Sequence, residues 1–248
     1  MSIRRPVLFL AMGFLPFIFG CGGEEGNSAR AAAPPAVVGA GEAEGSAAEA
    51  RDAPVVLFLG TSLTAGLGVD PDDAYPALVQ ERVDSAGLPF HVVNAGSSGE
   101  TSAGALRRLD WLLRQPFDVL VLETGANDML RGAEPDSVRA NLRRIVERVR
   151  AERPDTRIVL AGMMALPNLG REYGERFEAM YTELAREYRL PLVPFLLEDV
   201  AGVPAMNLPD GVHPNEAGHR RVAETVWDAL EPVLREEAAE RGAGGAGR

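Results

Sequence analysis

The sequence predicts a three-layer α/β/α domain around a central, mostly parallel five-stranded sheet. Apolar runs of strand length alternate with longer segments in which apolar residues recur at helical spacing. The first run, residues 55–59, is continuously apolar, as in a strand that helices cover on both faces. Strands that alternate with helices in this way form parallel sheets with a helical layer on each face.

The elements can be placed in order along the chain. The strands are predicted at residues 55–59, 90–93, 119–122 and 158–161, with a short fifth strand from residue 192. Residues 119–122 lie between Pro116 and Gly125, which are typical strand boundaries. The helices between them are predicted from apolar stripes at Tyr75, Leu78, Val79 and Val83; Leu106, Leu109, Leu112 and Leu113; Val138, Leu142, Ile145 and Val149; Phe177, Met180, Tyr181, Leu184 and Ala185; and Val222, Val226, Ala229, Leu230 and Val233.

Composition limits the class of protein. The chain has 248 residues, enough for one α/β domain with additional segments, and its formal net charge of -11 argues against binding to nucleic acid. The single cysteine, Cys21, excludes an internal disulfide, and no Cys/His cluster is present to hold a structural zinc. Any catalytic imidazole must come from His91, His213 or His219.

The first 53 residues do not resemble a folded domain. Arg4 and Arg5 precede an apolar run at residues 7–19 that is too short to span a membrane comfortably and ends before Cys21, so residues 1–21 are predicted to be an export signal. Residues 22–53 are rich in Ala, Gly, Glu and Pro and are predicted to form a flexible tether. We therefore assign the domain to residues 54–240 and predict a disordered tail at residues 241–248.

Four polar segments stand out, at residues 60–66, 94–101, 125–128 and 210–214. Taken alone, each has an ordinary structural explanation, such as a helix cap at Ser62 or a turn at Gly99. The first three follow successive strands and the fourth precedes the last helix. Ligands of parallel α/β sheets bind beyond the carboxyl ends of the strands, so the set indicates one functional site.

These segments contain the groups that acyl transfer requires. Ser62 is a candidate nucleophile and His213 the base that would take its proton, because an imidazole titrates near neutral pH. Asp210 lies three residues before His213, a spacing that places its carboxylate within reach of the imidazole in a turn. The main-chain N–H groups of Ser62 and Gly99 and the side-chain amide of Asn127 are the candidate oxyanion donors.

The four segments resemble the four signature blocks of the SGNH (GDSL-type) hydrolases, over residues 56–234. The stretches 94–104 and 123–132 are most similar to the bacterial arylesterase and multifunctional acyl thioesterase–lysophospholipase group. The resemblance implies the flavodoxin-like SGNH fold and the roles assigned above. It also implies that Leu166 and Pro167 line an acyl pocket, and that aryl or short-acyl esters, acyl thioesters and lysophospholipids are hydrolysed without a metal or organic cofactor.

A second resemblance concerns export. Residues 18–21 resemble the lipobox of bacterial lipoproteins, although Phe19 stands where a small residue is usual. This resemblance implies that Cys21 is lipidated and that an exported protein is held at a membrane by its N-terminal lipid. Gly22 is not the aspartate associated with inner-membrane retention, which favours the outer membrane or periplasm in a Gram-negative cell.

One position departs from the family pattern. Thr61 stands where the first block usually has aspartate, and we expect activity to persist because that residue is neither nucleophile nor base. Two other functions fit the same residues: an O-deacetylase acting on carbohydrate or peptidoglycan, and a non-catalytic surface lipoprotein that binds acyl ligands. A flavodoxin-like nucleotide binder is disfavoured, because no glycine-rich loop with the required lysine follows the first strand.

Overall fold

A computed structural model of the protein describes residues 53–245 and contains a five-stranded sheet in the order β2-β1-β3-β4-β5. The strands are β1 (Val55–Gly60), β2 (His91–Gly96), β3 (Val119–Glu123), β4 (Arg157–Ala161) and β5 (Leu192–Val193). Every neighbouring pair is parallel. All five strands therefore begin at one edge of the sheet, the amino edge, and end at the other, the carboxyl edge.

Seven α-helices connect or follow the strands in the described part of the chain. They are α1 (Ser62–Ala65), α2 (Tyr75–Ser85), α3 (Ser102–Leu112), α4 (Ala126–Leu130), α5 (Pro135–Glu152), α6 (Arg171–Tyr188) and α7 (Glu216–Gly245). Helix α2 packs against α7 on one face, and α3, α5 and α6 pack side by side on the other. The predicted three-layer architecture with a parallel five-stranded sheet is thus confirmed.

The core lies between the sheet and these two helical layers. Strands β1, β3 and β4 are buried on both faces, which explains their continuous apolar runs. The largest fully buried side chains include Phe58, Leu59, Leu120, Leu122 and Leu160 from the strands. Burying such side chains is the main favourable term in folding, and it fixes the strand ends that carry the polar segments.

Two elements extend further than the sequence predicted. Strand β2 continues to Gly96, three residues past the predicted end. Helix α7 continues to Gly245, five residues into the segment predicted to be disordered, and the Arg241 guanidinium pairs there with Glu237 and Asp118. The pair with Asp118 joins the last turns of the helix to the rest of the domain. An Ala/Gly-rich composition does not reveal this contact.

Helix α7 returns the chain to the amino edge of the sheet. Near its end, Glu240 pairs with Arg157, the first residue of β4, and Arg241 pairs with Asp118, directly before β3. None of the described helices is long and apolar enough to cross a membrane. The predicted export signal, Cys21 and nearly all of the predicted tether lie outside the described residues.

Candidate active site

The polar segments predicted from the sequence meet at the carboxyl edge of the sheet. Strand β1 ends at Gly60, and the chain turns directly into the short helix α1, whose first residue is Ser62. Gly60 is paired with Gly96 at the end of β2. A Cβ on Gly96 would lie 2.2 Å from the main-chain nitrogen of Ala65, so glycine is needed where β2 packs against α1.

Ser62, His213 and Asp210 form a continuous chain of hydrogen bonds. Ser62 Oγ lies 3.0 Å from His213 Nε2, and His213 Nδ1 lies 2.7 Å from Asp210 Oδ2. Ser62 is nearly buried, whereas the side chains of His213 and Asp210 are 19% and 47% exposed.

Asp210 orients the loop that carries the imidazole. Its Oδ1 accepts hydrogen bonds from the main-chain N–H groups of Val212 (2.9 Å) and His213 (3.0 Å). These two bonds and the hydrogen bond from the imidazole lower the pKa of Asp210 to about 2. The bond from the His213 main-chain N–H has the largest effect. The carboxylate therefore stays charged at neutral pH and accepts a hydrogen bond from the Nδ1–H, which leaves Nε2 to accept a hydrogen bond from the Ser62 hydroxyl.

The loop that carries Asp210 and His213 is closed at its base. Leu208 N–H donates to His213 O at 2.8 Å, and Asn207 forms an isolated antiparallel bridge with Pro214. The buried Asn207 side chain also donates to the carbonyls of Val200 and Val203. These contacts anchor a segment that is otherwise exposed.

A tight turn after β2 presents Gly99. Glu100 N–H donates to Ser97 O at 3.1 Å, and Gly99, the third residue of this turn, has φ of +76°. That left-handed conformation favours glycine, because a Cβ would strain the backbone. The turn therefore explains the glycine at position 99 independently of any catalytic role.

Three side chains from residues 127–131 hold the Gly99 turn in place. Asn127 Nδ2 donates to Glu100 O at 3.0 Å, and Arg131 Nη2 donates to Gly99 O at 2.9 Å. The buried Asp128 carboxylate accepts from Ser102 N and Ser102 Oγ, both at 2.7 Å, and so caps the start of α3. The segment after β3 thereby fixes the segment after β2.

Several hydrogen-bond donors at this edge remain available to a ligand. Among the described residues, neither the Ser62 nor the Gly99 main-chain N–H has an acceptor, and as the first residue of α1 Ser62 has none within its helix. An amide nitrogen carries two hydrogens, so Asn127 Nδ2 keeps one after its bond to Glu100. All three predicted oxyanion donors are thus free to bind a substrate oxygen.

Leu166 and Pro167 lie in the loop after β4. Leu166 is 40% exposed, its N–H donates to Met129 Sδ at 3.2 Å, and Pro167 begins a 3₁₀ turn, Pro167–Leu169. Most of the large apolar side chains exposed in the described chain belong to segments that follow the strands at the carboxyl edge: Leu67, Leu130, Met164, Leu166, Val203 and Val212. We call Leu67, Leu130, Leu166 and Val212 the apolar rim.

The other two histidines lie apart from this hydrogen-bond chain. His91 is exposed at the start of β2, on the amino edge. His219 is buried in α7, where its Nδ1 accepts from Tyr75 N–H, and burial lowers its pKa to about 4 despite the opposing charge of Asp73. A neutral, buried imidazole at this position packs against Tyr75 and takes no part in the site.

Two residues outside the predicted segments, Glu123 and Arg131, also shape the site. Glu123, at the end of β3, is buried beneath the Ser62 turn and accepts hydrogen bonds from Thr61 and Thr64. Arg131 holds the Gly99 turn, next to Asp128 of the predicted segment 125–128. The one available signal was a charged residue, Glu123, directly after the apolar run of β3, which is unusual in a strand covered on both faces.

The chain is similar in sequence to known proteins. Residues 58–221 match the model of the GDSL-like Lipase/Acylhydrolase family. The esterase TesA of Pseudomonas aeruginosa is 41% identical over 179 residues, which cover 72% of this chain and 88% of that protein. The "Thioesterase 1/protease 1/lysophospholipase L1" of Escherichia coli K12 is 39% identical over 180 residues, 72% of this chain and 84% of that protein.

The fold is also similar to solved structures. A crystal structure of TesA matches with a TM-score of 0.69 and 40% identity, over 72% of this chain and 98% of that one. Residues 58–221, which match the family model, contain all four polar segments described above.

Proposed function

The chain belongs to the GDSL-like lipase/acylhydrolase family and is an ester-hydrolysing serine hydrolase, and we propose that Ser62, His213 and Asp210 are its catalytic triad. The hydrogen-bond chain from Ser62 Oγ through the imidazole to the Asp210 carboxylate carries the proposal. It puts a nucleophile, a base and an orienting carboxylate in the order that acyl transfer requires.

In the acylation step, Ser62 Oγ attacks the carbonyl carbon of the ester while His213 Nε2 takes the hydroxyl proton. The carbonyl oxygen becomes an oxyanion, which the N–H groups of Ser62 and Gly99 and the Asn127 amide stabilise. The tetrahedral intermediate then collapses. Its bond to the leaving oxygen or sulfur breaks, His213 returns the proton to that atom, and an acyl-serine remains.

In the deacylation step, a water molecule takes the place of the departed alcohol or thiol. His213 Nε2 removes a proton from the water as its oxygen attacks the acyl carbon, and the same three donors stabilise the second oxyanion. Collapse releases the carboxylic acid and returns the proton to Ser62 Oγ. Asp210 stays ionised throughout and stabilises the imidazolium that forms in each step.

We propose that the acyl portion of the substrate contacts the apolar rim. Exposed apolar side chains that cluster at one face often mark a binding site, and the rim residues belong to segments at the same edge of the sheet as Ser62. This favours aryl or acyl esters, acyl thioesters and lysophospholipids over acetylated sugars. Hydrolysis of p-nitrophenyl esters of increasing acyl length by residues 52–248 tests the assignment, and a strict preference for acetyl esters would contradict it.

Asn127 is expected to contribute to the chemical step. Asn127→Ala removes one of three oxyanion donors, so kcat should fall by about 10²- to 10³-fold, with a much smaller effect on KM. Steady-state kinetics on p-nitrophenyl butyrate measure this. Gln115→Ala, which removes an exposed amide at the amino edge, is the matched control. A kcat that stays within about twofold of wild type in Asn127→Ala would remove Asn127 from the oxyanion site.

Leu166 is expected to discriminate between acyl chains. Leu166→Ala removes apolar surface at the rim, so kcat/KM for an octanoyl ester should fall by about 10-fold while that for an acetyl ester changes little. Trp111→Ala is the control, because Trp111 is also a large exposed apolar residue but lies on α3, away from the site. Equal losses on both esters would show that Leu166 acts on the reaction and not on the acyl chain.

We also propose, from the sequence, that the enzyme is exported by a signal at residues 1–21, lipidated at Cys21 and joined to its domain by a tether at residues 22–53. A lipid anchor would keep the hydrolase near a membrane, where lysophospholipids and other acyl esters are concentrated.

A further inference from the structure

The turn that carries Ser62 rests on a buried carboxyl group. Glu123, the last residue of β3, is 1% exposed and lies directly beneath the turn that joins β1 to α1. We refer to Glu123, Thr61, Thr64 and Tyr75 as the Glu123 cluster. None of its members touches Ser62 Oγ, and the reaction described above uses none of them.

The donors of the Glu123 cluster converge on the carboxyl group. Glu123 Oε2 accepts from Thr61 N–H at 2.7 Å and from Thr64 Oγ1 at 2.9 Å, and Thr61 Oγ1 lies 3.0 Å from each carboxyl oxygen. Tyr75 Oη lies 2.7 Å from Thr64 Oγ1. An ionised carboxylate only accepts, so both threonine hydroxyls donate to it, and Tyr75 then donates to Thr64.

Burying the Glu123 carboxyl group costs folding free energy, which indicates that the group has a role in the folded protein. Among the described residues, no arginine or histidine pairs with Glu123. Burial raises the pKa of Glu123, and the hydrogen bonds from Thr61 and Thr64 oppose that rise. An apolar residue would fill the end of β3 at lower cost. What the carboxyl group provides is a fixed acceptor for the Thr61 N–H, one residue before the nucleophile.

The packing around Gly60 shows how tightly this turn is held. A Cβ on Gly60 would lie 2.6 Å from Glu123 Oε2 and 1.9 Å from Thr64 Oγ1. The carboxyl group thus approaches the backbone directly at the end of β1. With Thr61 N–H and both threonine hydroxyls attached to one group, the peptide that leads into Ser62 has little freedom to rotate.

We propose that Glu123 is a positioning residue that holds the Thr61 turn so that Ser62 Oγ stays within reach of His213 Nε2 and the Ser62 N–H stays directed at the substrate oxygen. The proposal rests on the proposed triad. It also gives Thr61 a role. The threonine donates to Glu123 through both its N–H and its hydroxyl, and the side chain of an ionised aspartate could not donate there.

Kinetics of Glu123→Gln test the proposal. The glutamine has the same shape, but its NH₂ group faces the donors of Thr61 and Thr64. We expect kcat on p-nitrophenyl butyrate to fall by about 10²-fold, because small misplacement of a reacting group has effects of that size, while KM changes little. Thr61→Val, which removes only the hydroxyl, should lower kcat by about 10-fold.

Coupling between the two positions distinguishes positioning from general destabilisation. If Glu123 acts through Thr61, the double variant Thr61→Val/Glu123→Gln should be no slower than Glu123→Gln alone. Thr225→Val, which removes a partly buried hydroxyl bonded to Arg221 O on α7, is the matched control and should keep wild-type kcat. If Glu123→Gln does not fold, Thr61→Val and Thr64→Val carry the test, since each removes a single donor to Glu123.

The outcomes separate this inference from the proposed triad. Wild-type activity that Ser62→Ala abolishes, together with a folded Glu123→Gln of wild-type kcat, would overturn the role of Glu123 alone. Folded Thr61→Val and Thr64→Val variants with wild-type kcat would overturn it equally. A wild type without Ser62-dependent ester hydrolysis would overturn both proposals.

Discussion

Ser62→Ala is expected to reduce kcat on p-nitrophenyl esters by about 10⁵- to 10⁶-fold, the largest effect of any single substitution in this protein. The variant loses the oxygen that lies 3.0 Å from His213 Nε2, so no acyl-enzyme forms. The oxyanion donors stay in place, and slow attack by water held in the site gives the residual rate. Steady-state kinetics together with the burst of p-nitrophenol measure the loss.

Labelling of the serine provides an independent check. An organophosphonate should add to Ser62 of the wild type and not to Ser62→Ala, as read by the mass of the tryptic peptide. Ser85→Ala is the matched control, because Ser85 is an exposed serine at the end of α2, on the amino edge. If Ser62→Ala retained wild-type activity, the nucleophile would have to be another group and the proposed triad would be wrong.

Asp210→Asn is expected to lower kcat by about 10⁴-fold. The carboxylate accepts from the His213 Nδ1–H at 2.7 Å, which fixes the tautomer whose Nε2 faces Ser62. An asparagine amide can donate to Nδ1 instead, so the imidazole would carry its proton on Nε2 and could no longer accept one from Ser62. Asp228→Asn, at an exposed position on α7, is the control, and stopped assays over a long incubation measure the residual rate.

The same carboxylate sets the expected pH dependence. The Asp210 carboxylate must be charged to hold the His213 tautomer that accepts the proton of Ser62, so kcat/KM depends on its ionisation. Because the pKa of Asp210 is about 2, its carboxylate remains charged well below neutral pH, and kcat/KM should show no ionisation of Asp210 above that value. An ionisation between about pH 3 and pH 5 that disappears in Asp210→Asn would contradict the lowered pKa.

The lowered pKa also affects the folded state. In the unfolded chain the Asp210 carboxyl has the ordinary aspartate pKa of 3.8, so the lower value in the folded protein stabilises the fold above that pH. This contribution is lost as the pH falls towards about 2. Asp210 is exposed, and its contribution is therefore expected to be small. A thermal unfolding series at acid pH should show a slightly weaker acid dependence in Asp210→Asn than in the wild type.

Sequence patterns located the strands and the site because both depend on local signals. A strand buried on both faces gives a continuous apolar run, as in β1 and β3, and ligand-binding residues of a parallel sheet follow such runs directly. Ser62 and Asn127 could therefore be found from their distance to the nearest run. Asp210 and His213 precede the last helix, and their short spacing marked them as a pair.

The residues that the sequence did not reveal depend on tertiary contacts. Glu123 can be buried because residues from another part of the chain, Thr61 and Thr64, supply its donors, and no local pattern gives the position of those residues. Strand β2 was predicted too short for a related reason. It is an edge strand whose side chains are partly exposed, so its apolar run ends before its hydrogen bonds do.

The return of α7 to the amino edge has a consequence for protein engineering. Residue 53 enters β1 at that edge, and the contacts of Glu240 and Arg241 bring the other end of the described chain to the same side. Both ends therefore leave the domain opposite Ser62. A fusion partner joined at either end would not cover the catalytic face. A linker could also join the two ends directly, and the chain could then be opened at a loop on the carboxyl edge to give a circular permutant.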